Sequence, residues 1–360
     1  MKKPIVIDKN FASNSAISRD GMIFLNAQDS DCFRLSGLMW DEDGYYRLPK
    51  NVVDKTDNPE TMSTLARFAS GGKISFITDS PYVAIKAVLP SITTWTRNMP
   101  LTSSAGFDIY VDGTFLTSFP PDLNASNYCV EGIKDFVGQK ERRITLNFPL
   151  YNPVKELYIG LKEGSSIKPL CESEYTKPVV FYGSSITQGG SASRPGMCYE
   201  AILSRKLNFE YINLGFAGNA KGECAIAEYI SSLEMSAFVF DYDHNAPTPE
   251  HLEKTHKPFF DVIREKHPDL PIICISRPAY CLSEDGVRRR DIIKATVDSA
   301  IEAGDKNVYF IDGSLFMQEI ADDGTVDGCH PTDLGFYAMA KGILPVLTEA
   351  LKNKRGNAND

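Results

Sequence analysis

A chain of 360 residues is longer than most single domains, and its 42% hydrophobic and 24% charged content is typical of a globular protein. The net charge of −9, with no basic run longer than Arg288-Arg289-Arg290, argues against nucleic acid as a partner. No apolar run reaches 18 residues, so we predict no membrane-spanning segment.

The first residues and the cysteines bear on localisation. Residues 1–8 contain two lysines but an apolar run of only three residues, which is too short for the core of a secretory signal. The eight cysteines form no C-x-x-C pair, a pattern typical of reduced thiols. We therefore expect a cytoplasmic protein, or a periplasmic or secreted one if a leader was removed. Because no zinc spacing and no glycine-rich phosphate or dinucleotide motif is present, we expect neither a metal nor a cofactor.

Residues 1–170 are predicted to form an all-β domain. Apolar residues alternate with period two through several short runs, and turn residues separate these runs. The clearest hairpin is residues 108–116, where Asp112-Gly113 lies between two β-prone runs. Many short strands without intervening helices predict an antiparallel sandwich or jelly roll. Such domains are often accessory binding modules, although a fold alone does not establish a function.

Residues 171–360 are predicted to form an α/β domain, with the weakly periodic residues 162–177 as the seam. Short apolar strands alternate with helical patterns, which predicts a doubly wound parallel sheet of five strands in flavodoxin-like order. Beside the run that ends at Gly183, the strands are expected at residues 209–214, 237–241, 270–276 and 308–312, and the helices at residues 199–207, 222–233, 250–266, 287–303 and 334–351.

Two serines follow the run that ends at Gly183, at the expected carboxyl edge of the parallel sheet. A helix-like pattern follows them, and its first backbone N–H groups would be free to meet an anion. Far along the chain, Asp327 precedes His330 by three residues. A serine nucleophile needs a base, and the base needs an acceptor that fixes its tautomer. Ser185, His330 and Asp327 are therefore a candidate triad, in which Ser184 competes with Ser185 for the role of nucleophile.

Other histidines and the serines themselves have less specific interpretations. Either serine could merely cap a helix. His244, at the end of a predicted strand, is a rival base, but its chain neighbours point to the opposite face and leave it without an orienting carboxylate. We expect His244 to contact the substrate or support the site at most. The remaining histidines lie in or next to a polar helical pattern and are expected to be solvated: His251, His256 and His267.

Four short blocks resemble those of the GDSL/SGNH hydrolases, a family of esterases, over roughly residues 178–350. Ser184 stands where that family usually has Asp, and Asp243-His244-Asn245 replaces the commoner Gly-x-Asn-Asp. The blocks, in chain order, are Gly183-Ser184-Ser185-Ile186-Thr187, Asn213-x-Gly215-x-x-Gly218, Asn245, and Asp327-x-x-His330-Pro331.

The resemblance extends to the first half of the chain. Gly106-Phe107-Asp108-Ile109-Tyr110 is similar to the Gly-x-Asp-Leu-Tyr signature of a β-sandwich that precedes the hydrolase in one subgroup. In that subgroup the serine block has Ser or Thr before the nucleophile and is followed by Ala-Ser-Arg-Pro-Gly, which this chain has as residues 192–196. The resemblance thus implies a sandwich followed by an SGNH-type hydrolase.

By position, the resemblance implies that Ser185 is the nucleophile and that His330, held by Asp327, is the base. It also implies that Gly218 and Asn245 are oxyanion donors. The chemistry agrees, because ester cleavage passes through a tetrahedral oxyanion that the N–H groups of Ser185 and Gly218 and the Asn245 amide could stabilise. Glycine would suit position 218 because no Cβ obstructs the approach to its backbone amide.

The substrate is expected to be a small-molecule or oligosaccharide ester, cleaved through an acyl-enzyme. The loop of residues 93–99 is the candidate contact, since Trp95 beside polar side chains suits a sugar. Arg194 either contacts substrate oxygens or makes a structural ion pair. We expect removal of an acetyl group from a carbohydrate. The same catalytic parts would serve a lysophospholipase or a thioesterase, and a protein of another class, an inactive carbohydrate-binding module, is the remaining alternative.

Overall fold

The computed structural model describes residues 17–29, 31–92, 97–122, 128–138, 140–171, 173–352 and 354. The strands are β1 (Met22–Asn26), β2 (Arg34–Ser36), β3 (Met39–Asp41), β4 (Gly44–Tyr46), β5 (Lys73–Thr78), β6 (Tyr82–Val88), β7 (Phe107–Val111), β8 (Thr114–Phe119), β9 (Cys129–Asp135), β10 (Arg142–Asn147), β11 (Glu156–Lys162), β12 (Ile167–Pro169), β13 (Val179–Gly183), β14 (Tyr211–Gly215), β15 (Ala237–Asp241), β16 (Ile272–Ile275) and β17 (Val308–Ile311). The α-helices are α1 (Lys50–Val53), α2 (Pro59–Arg67), α3 (Leu101–Ser104), α4 (Tyr199–Leu207), α5 (Cys224–Ser231), α6 (Pro249–Lys266), α7 (Glu284–Glu302) and α8 (Asp333–Leu351).

The first half of the chain, called here the β region, contains two large antiparallel sheets and a separate two-stranded one, β3-β4. One has the strand order β1-β11-β6-β9, and the other has β12-β5-β10-β7-β8 with β2 also paired to β5. Residues from the inner faces of both sheets, such as Phe76 and Ile144 from one and Ile85 and Leu157 from the other, belong to one buried core. The period-two alternation of apolar residues therefore reflects the two facing sheets of a sandwich, as predicted.

The β region also contains helices that the sequence did not lead us to expect. The β7–β8 hairpin is present as predicted, but α1, α2 and α3 contradict the expectation of strands without intervening helices. For α2 the start signals are visible in retrospect: Asn58 caps the helix through its side chain, and Pro59 occupies the first turn. Helices this short carry too little periodicity to be separated from turns by pattern alone.

The second half of the chain, called here the hydrolase region after the family that it resembles, is built on a parallel sheet with the order β14-β13-β15-β16-β17. This is the predicted flavodoxin-like order, and every residue of β13, β15 and β16 is buried, as parallel strands covered on both faces require. The predicted helices are present, with α4 packed on α8 and α6 packed between α5 and α7. The predicted fold class is confirmed.

His256 departs from the expectation of a solvated side chain. It is 1% exposed, its ring stacks on Phe240 with centroids 4.5 Å apart, and its Nδ1 lies 2.9 Å from Thr296 Oγ1. The reason is that it lies on the face of α6 that covers the sheet. Burial lowers the pKa of His256 to about 3, so it is a neutral core residue.

The two regions share buried structure across the predicted boundary at residue 170. Leu48, Phe68 and Tyr151 of the β region lie in the same hydrophobic core as the hydrolase sheet. Arg47 is 1% exposed and donates hydrogen bonds to the Phe68 carbonyl at 2.7 Å in its own region and to the Gly215 carbonyl at 2.6 Å in the other. The β region is therefore packed directly against the strand ends that carry the candidate site.

Among the helices in the described ranges, α8 is long and apolar enough to cross a membrane by length and composition, with a mean hydropathy of 1.2. Core helices meet the same criterion, so this is weak evidence. Phe336, Met339, Ile343 and Leu347 of α8 are fully buried in the hydrolase core, which accounts for its apolar composition.

Candidate active site

Ser185 lies just after β13, the strand between β14 and β15 in the parallel sheet. Its Oγ is 2.9 Å from His330 Nε2. The neighbouring Ser184 is fully buried, and its Oγ accepts the Ile186 N–H at 3.1 Å. Of the two serines that the sequence offered, the geometry therefore favours Ser185 as the nucleophile.

The segment after Ser185 differs from the predicted helix start. Successive turns follow, in which the Gln188 N–H donates to the Ser184 carbonyl at 3.0 Å and the Gly190 N–H to the Ser185 carbonyl at 2.8 Å. Gly189 and Ser191 have positive φ values of 95° and 77°, which interrupt helical geometry, and α4 begins only at Tyr199. The predicted helix N-terminus beside Ser185 is thus absent, and any anion stabilisation depends on individual N–H groups.

His330 and Asp327 lie together on the loop before α8. His330 Nδ1 is 2.8 Å from Asp327 Oδ2, and Asp327 Oδ1 accepts the N–H groups of His330 at 2.8 Å and Cys329 at 3.1 Å. Burial raises the pKa of Asp327, but the hydrogen bonds from His330 and Cys329 outweigh it, so the pKa lies below its ordinary value. The ionised carboxylate favours a proton on Nδ1, which leaves Nε2 free to accept the Ser185 proton.

Three candidate oxyanion donors come from different loops. Within the described residues, the N–H groups of Ser185 and Gly218 donate to no protein acceptor. Asn245 Nδ2 donates one hydrogen to the Phe216 carbonyl at 2.9 Å, which holds its amide beside the Gly218 loop and leaves its second hydrogen available. The Ala217 N–H donates to Gln188 Oε1 at 2.9 Å, so the Ser185 turn and the Gly218 loop are bonded to each other.

The structure gives a further reason for glycine at position 218 beside the one predicted. A Cβ built at Gly218 would have no protein heavy atom within 4 Å, so the packing of the fold does not require glycine there. The φ angle of 70° is the constraint, because this left-handed conformation is costly for most L-residues.

A cavity of about 260 Å³ opens beside Ser185 and His330. One wall comes from the β region and includes residues 97–99, the described part of the loop predicted to contact the substrate; Trp95 of that loop lies outside the described residues. The lining residues are Arg97, Asn98, Met99, Tyr151, Ser185, Gly190, Ser191, Ala217 and His330. Both halves of the chain therefore shape this cavity.

Arg194 is a structural contact between the two regions, not part of this cavity lining. Its Nη1 lies 3.0 Å from Oδ2 of the fully buried Asp108 and also bonds the Tyr110 hydroxyl. The same Asp108 oxygen accepts the Gly196 N–H at 2.8 Å. The two sequence signatures noted above, around Asp108 and around Arg194, thus bind each other. Of the two interpretations of Arg194, the structure supports the ion pair.

His244 does not line the cavity within the described part of the chain. Its Nδ1 lies 3.7 Å from Cys329 Sγ, so it packs against the loop that carries Asp327 and His330. Burial, with a further contribution from Arg277, lowers the pKa of His244 to about 4. The adjacent Asp243 carboxylate forms an ion pair with Arg277, in which Asp243 Oδ1 lies 2.9 Å from Arg277 Nη2. The structure therefore supports a packing role for His244 and does not support a rival base or a substrate contact.

Three residues that contact the proposed triad escaped the sequence analysis. Asn98 Nδ2 donates to Asp327 Oδ2 at 2.8 Å, and the Tyr151 hydroxyl donates to the Ser185 carbonyl at 3.0 Å. A Cβ at Gly190 would lie 2.9 Å from the Ser185 carbonyl oxygen and 3.1 Å from His330 Cδ2. Asn98 was at least inside a loop predicted to reach the substrate, but no local pattern marks Tyr151 or Gly190. No cluster of three or more metal-ligating side chains occurs in the described ranges.

Two family profiles match the chain. The profile described as the GDSL-like lipase/acylhydrolase family covers residues 176–348, and that of the N-terminal region of SGNH-hydrolase-type esterases, GxDLY, covers residues 22–167. No curated protein sequence matches the chain significantly.

Several solved structures are similar over most of their length. A protein of Bacteroides ovatus described as a GDSL-like lipase is 32% identical with a TM-score of 0.81, covering 93% of this chain and 100% of its own. The salicylyl-acyltransferase SsfX3 of a tetracycline biosynthetic pathway is 20% identical with a TM-score of 0.76, covering 93% and 100%. A family two carbohydrate esterase of Clostridium thermocellum, in complex with cellohexaose, is 15% identical with a TM-score of 0.63, covering 89% and 99%. The last two likenesses show the fold alone.

Proposed function

Because the chain belongs to the GDSL-like lipase/acylhydrolase family and is an SGNH-type carboxylic ester hydrolase, we propose that Ser185, His330 and Asp327 are its catalytic triad. The observation that carries this proposal is the continuous line of contacts from Ser185 Oγ to His330 at 2.9 Å and from His330 to Asp327 at 2.8 Å. These two distances fall within hydrogen-bonding range, as nucleophile–base and base–carboxylate pairs require.

In the proposed reaction, Ser185 attacks the ester carbonyl while His330 Nε2 takes its proton. The resulting oxyanion is stabilised by the N–H groups of Ser185 and Gly218 and the Asn245 amide, where one donor is worth roughly 3 to 4 kcal/mol of barrier. His330 then returns the proton to the leaving alcohol, and an acyl-Ser185 ester remains. Water, activated by the same imidazole, hydrolyses that ester and releases the acid.

We propose a short acyl group on a carbohydrate, with an acetylated sugar as the simplest substrate. A cavity of about 260 Å³ lies at the lower limit of typical ligand pockets, roughly 300 Å³, which suits a small acyl group better than a long chain. Arg97 and Asn98 add polar groups to its wall that could bind sugar hydroxyls. The structural likeness to carbohydrate esterases agrees with this substrate class but shows only a common fold.

Labelling with a fluorophosphonate probe followed by peptide mapping tests the triad. Label is expected on Ser185 in the wild type and in Ser184→Ala, the matched control, and is expected to be absent from Ser185→Ala. His330→Ala should label far more slowly, and both triad variants should lose about 10⁴-fold or more in kcat. Label on Ser184, or a Ser185→Ala variant that keeps its activity, would refute the triad.

A substrate panel tests the acyl and alcohol preference separately. Acetylated sugars and short p-nitrophenyl esters are expected to be cleaved with higher kcat/KM than lysolipids or long-chain thioesters. A preference for long acyl chains would contradict the carbohydrate proposal and support a lysophospholipase or a thioesterase. Glycan binding without any labelling of Ser185 would instead support a binding module.

A further inference from the structure

We propose that Asn98, from the β region, is a positioning residue that orients the Asp327 carboxylate and thereby His330; this inference rests on the triad proposed above. Asn98 Nδ2 donates to Asp327 Oδ2 at 2.8 Å, and the same oxygen lies 2.8 Å from His330 Nδ1. Asn98 is thus one hydrogen bond beyond the triad, although 229 positions separate it from Asp327. Among the described residues of the hydrolase region, no side chain other than His330 donates to Oδ2.

The surroundings of Asp327 explain why such a residue is needed. Its side chain is 33% exposed, so packing does not fix the carboxylate, and water competes for its oxygens. The loop's own backbone holds Oδ1 through the N–H groups of Cys329 and His330. In the described part of the chain, Oδ2 has two donors, His330 Nδ1 and Asn98 Nδ2. Without Asn98, water would take its place and the carboxylate could rotate away from the imidazole.

The position of Asn98 also couples the triad to the substrate cavity. Its chain neighbours Arg97 and Met99 line the same cavity as Ser185. Four positions after Asn98, Thr102 Oγ1 makes a separate contact with the hydrolase region by donating to the Ser193 carbonyl at 2.6 Å. Because Asn98 binds Asp327 and also lines this cavity, a substrate that contacts residues 97–99 acts on the residue that orients the carboxylate. We infer that substrate binding at this wall and orientation of the triad are linked.

The activity–pH profile is a suitable readout of this role because groups packed around the His330–Asp327 pair have pKa values shifted away from neutral pH. The pKa of His244 is lowered to about 4, and burial raises the pKa values of the Cys329 thiol and the Tyr151 hydroxyl. The charged and titratable groups that face this pair are His244 and Arg277 from the ends of β15 and β16, Cys329 from the same loop, and Arg97 and Tyr151 from the β region.

The test compares Asn98→Ala and Asn98→Asp with wild type in fluorophosphonate labelling rate and in kcat and KM for p-nitrophenyl acetate across about pH 5 to 9. Asn98→Ala is expected to lower kcat about tenfold with little change in KM, since a hydrogen bond to a charged group is lost. Its acid limb, where the catalytic base loses its neutral form, should move to lower pH, because a carboxylate that has turned away from the imidazole stabilises the imidazolium less. Asn98→Asp should move the acid limb to higher pH instead, because it adds a second carboxylate near the imidazolium.

Two comparisons distinguish orientation of the Asp327 carboxylate by Asn98 from a role of Asn98 in merely attaching its loop to the hydrolase region. Thr102→Val removes the neighbouring contact between the regions without touching Asp327, and it should leave both kcat and the acid limb unchanged. In an Asp327→Asn background, Asn98→Ala should change kcat by less than about twofold, since its effect passes through that carboxylate. If wild type labels on Ser185 but Asn98→Ala matches its rate and acid limb, this inference alone is overturned. Absence of label in wild type would instead overturn the triad.

Discussion

The left-handed backbone at Gly218 allows a sharp test of the proposed oxyanion site. The φ angle is 70°, and a Cβ would meet no heavy atom within 4 Å, so Gly218→Ala introduces backbone strain without a clash. That strain is roughly 1 to 2 kcal/mol for an ordinary L-residue. In the free enzyme no oxyanion is bound to hold the N–H at position 218 in place. We therefore expect the backbone of the alanine variant to leave the left-handed conformation, which turns this N–H away from the oxyanion site.

The strain sets an upper limit on the catalytic loss. Losing the donor outright would raise the barrier by roughly 3 to 4 kcal/mol. The variant can instead return to the left-handed conformation in the transition state, which costs only the strain of about 1 to 2 kcal/mol. We therefore expect kcat of Gly218→Ala to fall by about 5- to 30-fold. Asparagine tolerates this conformation, so Gly218→Asn should stay within about threefold of wild type.

Saturation kinetics with p-nitrophenyl acetate measure these effects, and thermal denaturation checks that each variant is folded. An asparagine variant slower than the alanine variant would mean that side-chain bulk matters at this position, and the backbone explanation would be refuted. An alanine variant with wild-type kcat would remove the Gly218 N–H from the proposed oxyanion site.

Asp108→Asn should lower the free energy of unfolding by about 3 to 5 kcal/mol, because the half-buried Arg194 loses the carboxylate that pairs it across the two regions; an unchanged midpoint in thermal denaturation would contradict this. Glu200→Gln concerns pH: burial raises the pKa values of Glu200 and of nearby Asp241 well above their ordinary range. The stabilisation that wild type gains from keeping Glu200 protonated is therefore fully present below the unfolded-state pKa of glutamate, about 4.3, and is lost as pH rises through the raised folded-state pKa. Glu200→Gln should lose less free energy of unfolding than wild type between about pH 5 and pH 8, which urea unfolding at both pH values measures. If the free energies of the two proteins changed with pH in parallel, the assignment to Glu200 would be refuted.

The parts of the fold that could be predicted are those that local patterns encode. Period-two alternation marks the sandwich strands, and buried runs separated by helical patterns mark the parallel sheet. The topology of the sheet then predicts where the site lies, since the carboxyl ends of parallel strands share one edge. Ser185 and His330 could be expected to meet because each follows such an edge, although 145 positions separate them.

The contacts between the two regions could not be predicted, because they depend on how two separately encoded surfaces meet. Arg194 was correctly singled out by its motif, yet only the packed structure shows that it pairs with Asp108. Asn98 likewise has no local signature that would link it to Asp327. Gly218 shows a different limit, since the sequence reveals a glycine but not whether space or backbone conformation requires it.

Separating the chain at residue 170 would test how far the site depends on the β region, and we expect residues 171–360 alone to be inactive. Phe68 and Tyr151 complete the hydrophobic core of the hydrolase region, so their removal exposes apolar surface and favours aggregation.

The loss should extend to the site itself, because three of its segments bind the β region. The Tyr151 hydroxyl donates to the Ser185 carbonyl at 3.0 Å, Arg47 to the Gly215 carbonyl at 2.6 Å, and Asn98 to Asp327 at 2.8 Å. Co-expression of residues 1–170 as a separate chain should restore fluorophosphonate labelling of Ser185, whereas an unrelated β-sandwich should not. If the isolated fragment were soluble and labelled at the full-length rate, the β region would be an accessory module, because the hydrolase region would then organise its nucleophile, base and oxyanion donors without it.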